Sequence, residues 1–183
     1  MEESVIDSLG VRERATEILK RAVVHTFDTM IGLTAEVGEV YQAQPSSASG
    51  RSVAGFIGWV GNWNGTGIFE CTPEFACKLS NLLLGTELTA INEEALDAVA
   101  EMTNIVYGGM KAELETELGA MGLSTPTVVY GNDVGMRSTG EPFTVLPVVV
   151  DGCEIRFKLY MVRVEEKRNP MSHFWAASHC GAL

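Results

Sequence analysis

At about 100° per residue, the stretch from Asn92 to Glu117 sorts its side chains onto two faces. Ala95, Val99, Met102, Ile105, Val106 and Met110 fill an apolar arc. Glu94, Asp97, Glu101, Asn104, Gly108, Lys111, Ala112 and Glu115 lie on a polar stripe about 100° wide. Asn92 suits an N-cap, and Glu93 and Glu94 suit the positive end of the helix dipole. The pattern predicts one long helix whose back is buried and whose front meets solvent or a partner.

The rest of the chain divides by the same criterion. Residues 11 to 31 carry Ala15, Ile18, Leu19, Ala22, Val23, Phe27 and Met30 at helical spacing, with Gly32 as the stop. Residues 42 to 50, QAQPSSASG, are small and polar and read as a surface loop. From Ser52 to Thr72 the pattern turns to short β-rich runs, with Asn64-Gly65 as the hairpin signal and Gly55, Gly58 and Gly61 letting another backbone pack close. A helix opens at Thr72-Pro73-Glu74 and stops at Gly85. Strands follow at 127 to 131, 143 to 150 and 153 to 164, the last two joined at Asp151-Gly152. Cys153, Ile155, Phe157, Leu159 and Met161 alternate with polar residues, the signature of an antiparallel sheet with one wet face. Pro147 lacks a ladder donor, which places its strand at an edge or a bulge.

This order predicts an α+β fold: a mainly antiparallel sheet with two long helices and one short helix packed on one face. A pseudo-two-fold internal repeat is also expected, because setting Gly32 against Gly108 pairs AVVHTFDTMIG with AVAEMTNIVYG. In that alignment His25 and Asp28 stand where the later helix has Glu101 and Asn104.

Composition narrows the function. The chain has 183 residues and a formal net charge of -11. Residues 61 to 125 hold 10 of the 24 acidic residues and 2 of the 13 basic ones, so the excess sits around the long helix. Nucleic acid is a poor partner for such a surface, because phosphate contacts need Lys and Arg. No apolar run spans a bilayer, and the start MEESVIDSLG is acidic where a signal peptide would be basic, so a cytoplasmic protein without a membrane partner is expected. Cys71, Cys77, Cys153 and Cys180 show no CxxC spacing and read as reduced thiols. His173, His179 and Cys180 lack the paired spacing of a zinc site, so no metal ligand is assigned.

The chemistry left is sparse. There is no GxSxG elbow, P-loop or HExxH. The glycines at 55, 58 and 61 are followed by no Lys-Ser/Thr pair. His25 and Asp28 could act as base and orienter, yet no nucleophile is placed with them. Glu101 and Asn104, at i and i+3, remain as the candidate pair.

Their setting gives the pair its meaning. DAVAEMTNIVYGGM, preceded by a short apolar helix ending LLLG and followed by VVYG and a D-G hairpin, resembles the CheX/CheC/FliY family of chemotaxis phosphatases. The signature helix of that family carries E-x-x-N with a glycine one turn on, here Glu101, Asn104 and Gly108. The resemblance covers roughly residues 10 to 165 and divides the chain into a CheX-like phosphatase domain, 1 to 165, and a C-terminal tail, 166 to 183. It implies hydrolysis of the aspartyl phosphate of a CheY-like response regulator, with Asn104 orienting the attacking water and Glu101 pairing with a regulator lysine. Asp97, Gly108 and Lys111 are the implied partner-binding residues. The chain would need no cofactor of its own, since magnesium belongs to the regulator. A single site is implied, as in the CheX branch, because the first helix has His25 and Asp28 in place of the motif. A homodimer joined at sheet edges is implied too. The competing readings are a CheX-like adaptor that binds a regulator or flagellar switch component without turnover, and an α+β domain with an unrelated small-molecule site.

Overall fold

A computed structural model describes residues 8–44, 50–133 and 142–164. Helix α1 (Ser8–Thr26) runs into a π-helical turn (Phe27–Ile31) and is followed by β1 (Ala35–Val37), β2 (Tyr41–Ala43), β3 (Arg51–Gly61) and β4 (Trp63–Cys71). After α2 (Pro73–Leu84) and α3 (Glu93–Leu118) come β5 (Met121–Leu123), β6 (Thr127–Asn132), β7 (Phe143–Val150) and β8 (Cys153–Arg163). All eight strands form one sheet in the order β1-β7-β8-β4-β3-β5, with β2 also on β7 and β6 also on β3, every pairing antiparallel. The order reads alike from both edges: two short strands, a hairpin, a hairpin, two short strands.

Strand alternation separates two faces. Val53, Ile57, Phe69, Leu146, Phe157 and Leu159 join the main core with residues of all three helices, so the helices share one face as expected. Ala54, Ile68, Phe143 and Val145 form a small second cluster on the opposite face. Helix α1 packs antiparallel to α3, as shown by Arg14 pairing with Glu117 at 2.9 Å and Arg21 pairing with Glu113. No described helix is long and apolar enough to cross a membrane. Cys71 and Cys77 are buried free thiols, and burial pushes both up from the ordinary thiol range. The stretch from 166 to 183, with His173, His179 and Cys180, lies outside the described residues.

Several local expectations need correction. The first helix begins at Ser8 and widens into π geometry before Gly32, whose left-handed backbone (φ 70°) caps it. Gln42 and Ala43 belong to β2 rather than to a loop, because β7 offers them a partner. Short strands β1 and β5 also escaped the pattern, being three residues each. The β3–β4 turn is centred on Asn62, while Asn64-Gly65 lies inside β4 with Gly65 opposite Trp59. Pro147 sits in a strand paired on both sides; its missing donor faces the break between β1 and β2, where the Gly38 N–H donates to the Pro147 carbonyl at 2.8 Å. The Asp151-Gly152 hairpin is as read: both residues have positive φ, 48° and 74°, as a type I′ turn requires.

The glycines of the β3–β4 hairpin make room for side chains as well as for the backbone expected. A Cβ on Gly55 would lie 2.1 Å from Thr103 Oγ1, one on Gly67 would lie 2.4 Å from the Tyr107 ring, and one on Gly65 would lie 2.1 Å from the Trp59 ring. Side chains of α3 and of Trp59 fill these sockets, while Gly61 and Gly65 also admit foreign backbone, Ala120 O at 2.8 Å and Tyr160 O at 2.5 Å. The hairpin therefore seats α3 closely against the middle of the sheet.

Candidate functional site

Helix α3 is built as its sequence demands. Asn92 Oδ1 accepts the Ala95 N–H at 3.1 Å, and Glu93 and Glu94 occupy the first turn. Ala95, Ala98, Val99, Met102, Val106, Met110 and Leu114 are buried. Two residues outside the expected apolar arc join them. Thr103 is buried over Gly55 and returns its hydroxyl to the Val99 carbonyl at 2.7 Å. Tyr107 is fully buried, and its hydroxyl reaches the seam of β4 and β8, accepting the Ile68 N–H at 3.0 Å and donating to the Lys158 carbonyl at 2.7 Å. Burial holds that hydroxyl protonated well above the ordinary tyrosine range. These anchors fix the rotation of the helix, and with it the direction of the opposite stripe.

On that stripe Glu94, Asp97, Glu101, Asn104 and Ala112 are exposed, and Gly108, Lys111 and Glu115 are half-buried. Among the described residues, the side chains of Asp97, Glu101 and Asn104 make no hydrogen bond or ion pair. A carboxylate and an amide one turn apart thus stand on a rigid support with their hydrogen-bonding capacity unspent. Lys111 differs: it pairs with Glu115 at 2.8 Å, and Glu115 also accepts the Met121 N–H at 2.7 Å. The Lys111 bond, then the Met121 N–H, lower the Glu115 carboxyl from its usual range. Lys111 therefore serves first to clamp the end of α3 to β5. Gly108 borders open space, since a Cβ there would meet only Leu123 Cδ2 at 4.0 Å.

In front of the pair lies a shallow cleft of about 410 Å³, with Asp97, Ala100, Glu101 and Asn104 on one wall and Leu123, Ser124, Thr125 and Pro126 on the other. The sequence brought the first wall together through helical spacing. The second wall was missed; the turn signature Ser124-Thr125-Pro126 marks a corner, but nothing in it says which helix the corner faces. A larger hollow of about 790 Å³ lies between α1 and the end of β8. On its rim Lys20 is spent on Glu17 at 2.6 Å and Arg14 on Glu117, whereas Asp97, Glu101 and Asn104 are unspent, so the smaller cleft is the better chemical candidate.

His25 and Asp28 do not reproduce the pair. Both are exposed, but the chain passes from α to π geometry between them, which changes their angular spacing. Among the described residues no cluster of His, Cys, Asp and Glu is arranged to hold a metal ion.

Comparison with known proteins supplies the context. Residues 53–148 match the family model described as chemotaxis phosphatase CheX. The CheY-P phosphatase CheX of Thermotoga maritima is 28% identical over 132 residues, covering 69% of this chain and 82% of that protein. Among solved structures, chemotaxis protein CheX from Vibrio vulnificus superposes with a TM-score of 0.72 at 23% identity, covering 81% of this chain and 99% of that one. CheX from Borrelia burgdorferi, solved in complex with CheY, BeF3 and magnesium, gives a TM-score of 0.67 at 21% identity over 80% of this chain and 97% of that one.

Proposed function

From the premise that this chain belongs to the CheX family of chemotaxis phosphatases, we propose that it dephosphorylates the aspartyl phosphate of a CheY-like response regulator by presenting α3 to the phosphorylated site. The observation that carries this reading is the exposed, internally unbonded pair Glu101 and Asn104 on a helix whose back is anchored to the sheet. The aspartyl phosphate is a mixed anhydride, already activated toward hydrolysis, so the main requirement is a water held in line with phosphorus. The Asn104 amide donates and accepts hydrogen bonds at once and does not titrate, which suits it to hold that water. Glu101 pairs with a regulator lysine through a charge-assisted hydrogen bond and sets the docking angle. Asp97, one turn earlier, adds a second anionic contact, and the bare backbone at Gly108 admits close approach. Lys111, held by Glu115, borders the contact rather than leading it. Magnesium comes with the regulator. Family resemblance also supports a homodimer joined at sheet edges and work in the cytoplasm.

The test is phosphate release from phosphorylated regulators at sub-stoichiometric protein. Wild type should accelerate it, and Asn104→Ala should lose about 100-fold in rate, the share expected of water positioning. An undiminished rate in the variant overturns the assignment of Asn104, and binding of the phosphorylated regulator with no acceleration of phosphate release would identify an adaptor.

A further inference from the structure

Resting on the phosphatase reading, we propose that the β5–β6 corner, Leu123 to Pro126, is the specificity wall of the site. It receives the regulator loop that carries the basic residue paired with Glu101, and the Thr125 hydroxyl hydrogen-bonds to the main chain of that loop.

The corner is built to hold its position. Strand β5 pairs with β3 up to Trp59 and β6 resumes at Phe56, leaving Ile57 and Gly58 between them. Ser124 closes the gap, its N–H donating to the Gly58 carbonyl at 2.8 Å and its Oγ accepting the Gly58 N–H at 2.9 Å. The same Oγ donates to the Thr125 carbonyl at 3.1 Å, and Pro126 restricts the backbone beyond. Thr125 is left exposed, and its own hydroxyl makes no hydrogen bond among the described residues. Opposite it, Ala100 sits between Asp97 and Asn104 on the helix wall, and its small side chain keeps the cleft open. Among the described residues, the charged ones lining the cleft are Asp97 and Glu101, so the occupant that complements it is a loop bearing a cation. A rigid second wall with a free hydroxyl adds to a carboxylate–amide pair the means to choose among regulators that all carry an aspartyl phosphate.

Two variants of the full chain test this. Thr125→Val keeps the side-chain shape and removes the hydroxyl; Ala100→Leu narrows the cleft with another good helix former. Steady-state dephosphorylation should show KM raised about fivefold for Thr125→Val and on the order of tenfold for Ala100→Leu, with kcat at saturation and the thermal midpoint held. Unchanged KM in both variants beside an active wild type overturns the inference and leaves the phosphatase reading standing. If wild type does not hydrolyse, the phosphatase reading falls alone, and Kd for the beryllofluoride-activated regulator replaces KM with the same expected ratios. Absence of any binding by wild type overturns both.

Discussion

The residues proposed to do the chemistry and the residues that aim them are different sets on one helix. Glu101 and Asn104 face solvent, and the neighbours three residues beyond Asn104 and one before it, Tyr107 and Thr103, face the sheet. Glu101→Gln keeps the shape and removes the charge, so it should raise KM for the phosphorylated regulator about tenfold and flatten its dependence on salt, with kcat less affected. Equal KM for variant and wild type in steady-state assays would remove Glu101 from the contact. Tyr107→Phe leaves the Ile68 N–H and the Lys158 carbonyl at the β4–β8 seam short of a buried partner. It should cost about 1–3 kcal/mol, read as a lower urea midpoint at constant m. The same hydroxyl imposes a pH limit. Folded, it stays protonated above its ordinary range, while the unfolded chain releases that proton near about pH 10. Its contribution is therefore complete below that pH and declines as pH rises beyond it, and the decline should be smaller in Tyr107→Phe when both are melted across alkaline buffers.

At the scale of elements, helix α3 and the β3–β4 hairpin are one unit. The hairpin gives up side chains at Gly55 and Gly67 so that Thr103 and Tyr107 can enter. Gly67→Ala drives a methyl into the Tyr107 ring, and overpacking of that kind costs roughly 1–3 kcal/mol. A thermal melt should show the loss, together with impaired activity as α3 is displaced; a melt matching wild type would mean that the ring has room to yield. The two Xaa-Gly hairpin signals had opposite fates for a related reason. Asp151-Gly152 adopts the positive φ pair it advertises, whereas Gly65 is spent on clearing the Trp59 ring, so the chain turns earlier, at Asn62. The end of α1 shows the same limit. Its apolar spacing is that of an ordinary helix, and the π turn that separates His25 from Asp28 leaves no local mark.

For the whole molecule, the strand order places short strands at both margins and the two hairpins between them. Strand β6, six residues long with exposed Val129 and Tyr130, is the longest strand at either margin and the stronger template for a second sheet. Light scattering should therefore give about twice the 19.8 kDa of one chain. Val129→Lys, which places a charge on that strand, should shift the mass toward one chain. A wild type that scatters as one chain would remove the dimer from the description.

What the sequence determined by itself is what short-range periodicity encodes. The long helix, its capped start at Asn92, the polar stripe with Glu101 and Asn104, the α2 boundaries at Thr72 and Gly85, and the 151–152 hairpin are all set by residues within a few positions of each other. The tertiary structure decided the rest because it depends on residues far apart in the chain. Three-residue strands form only when a neighbour supplies their partners, as β7 does for β1 and β2. Gly55 and Gly67 acquire meaning only once Thr103 and Tyr107 lie above them. The Ser124–Pro126 corner becomes a wall only when Gly58, on a strand 66 residues earlier than Ser124, fixes it in front of Asn104.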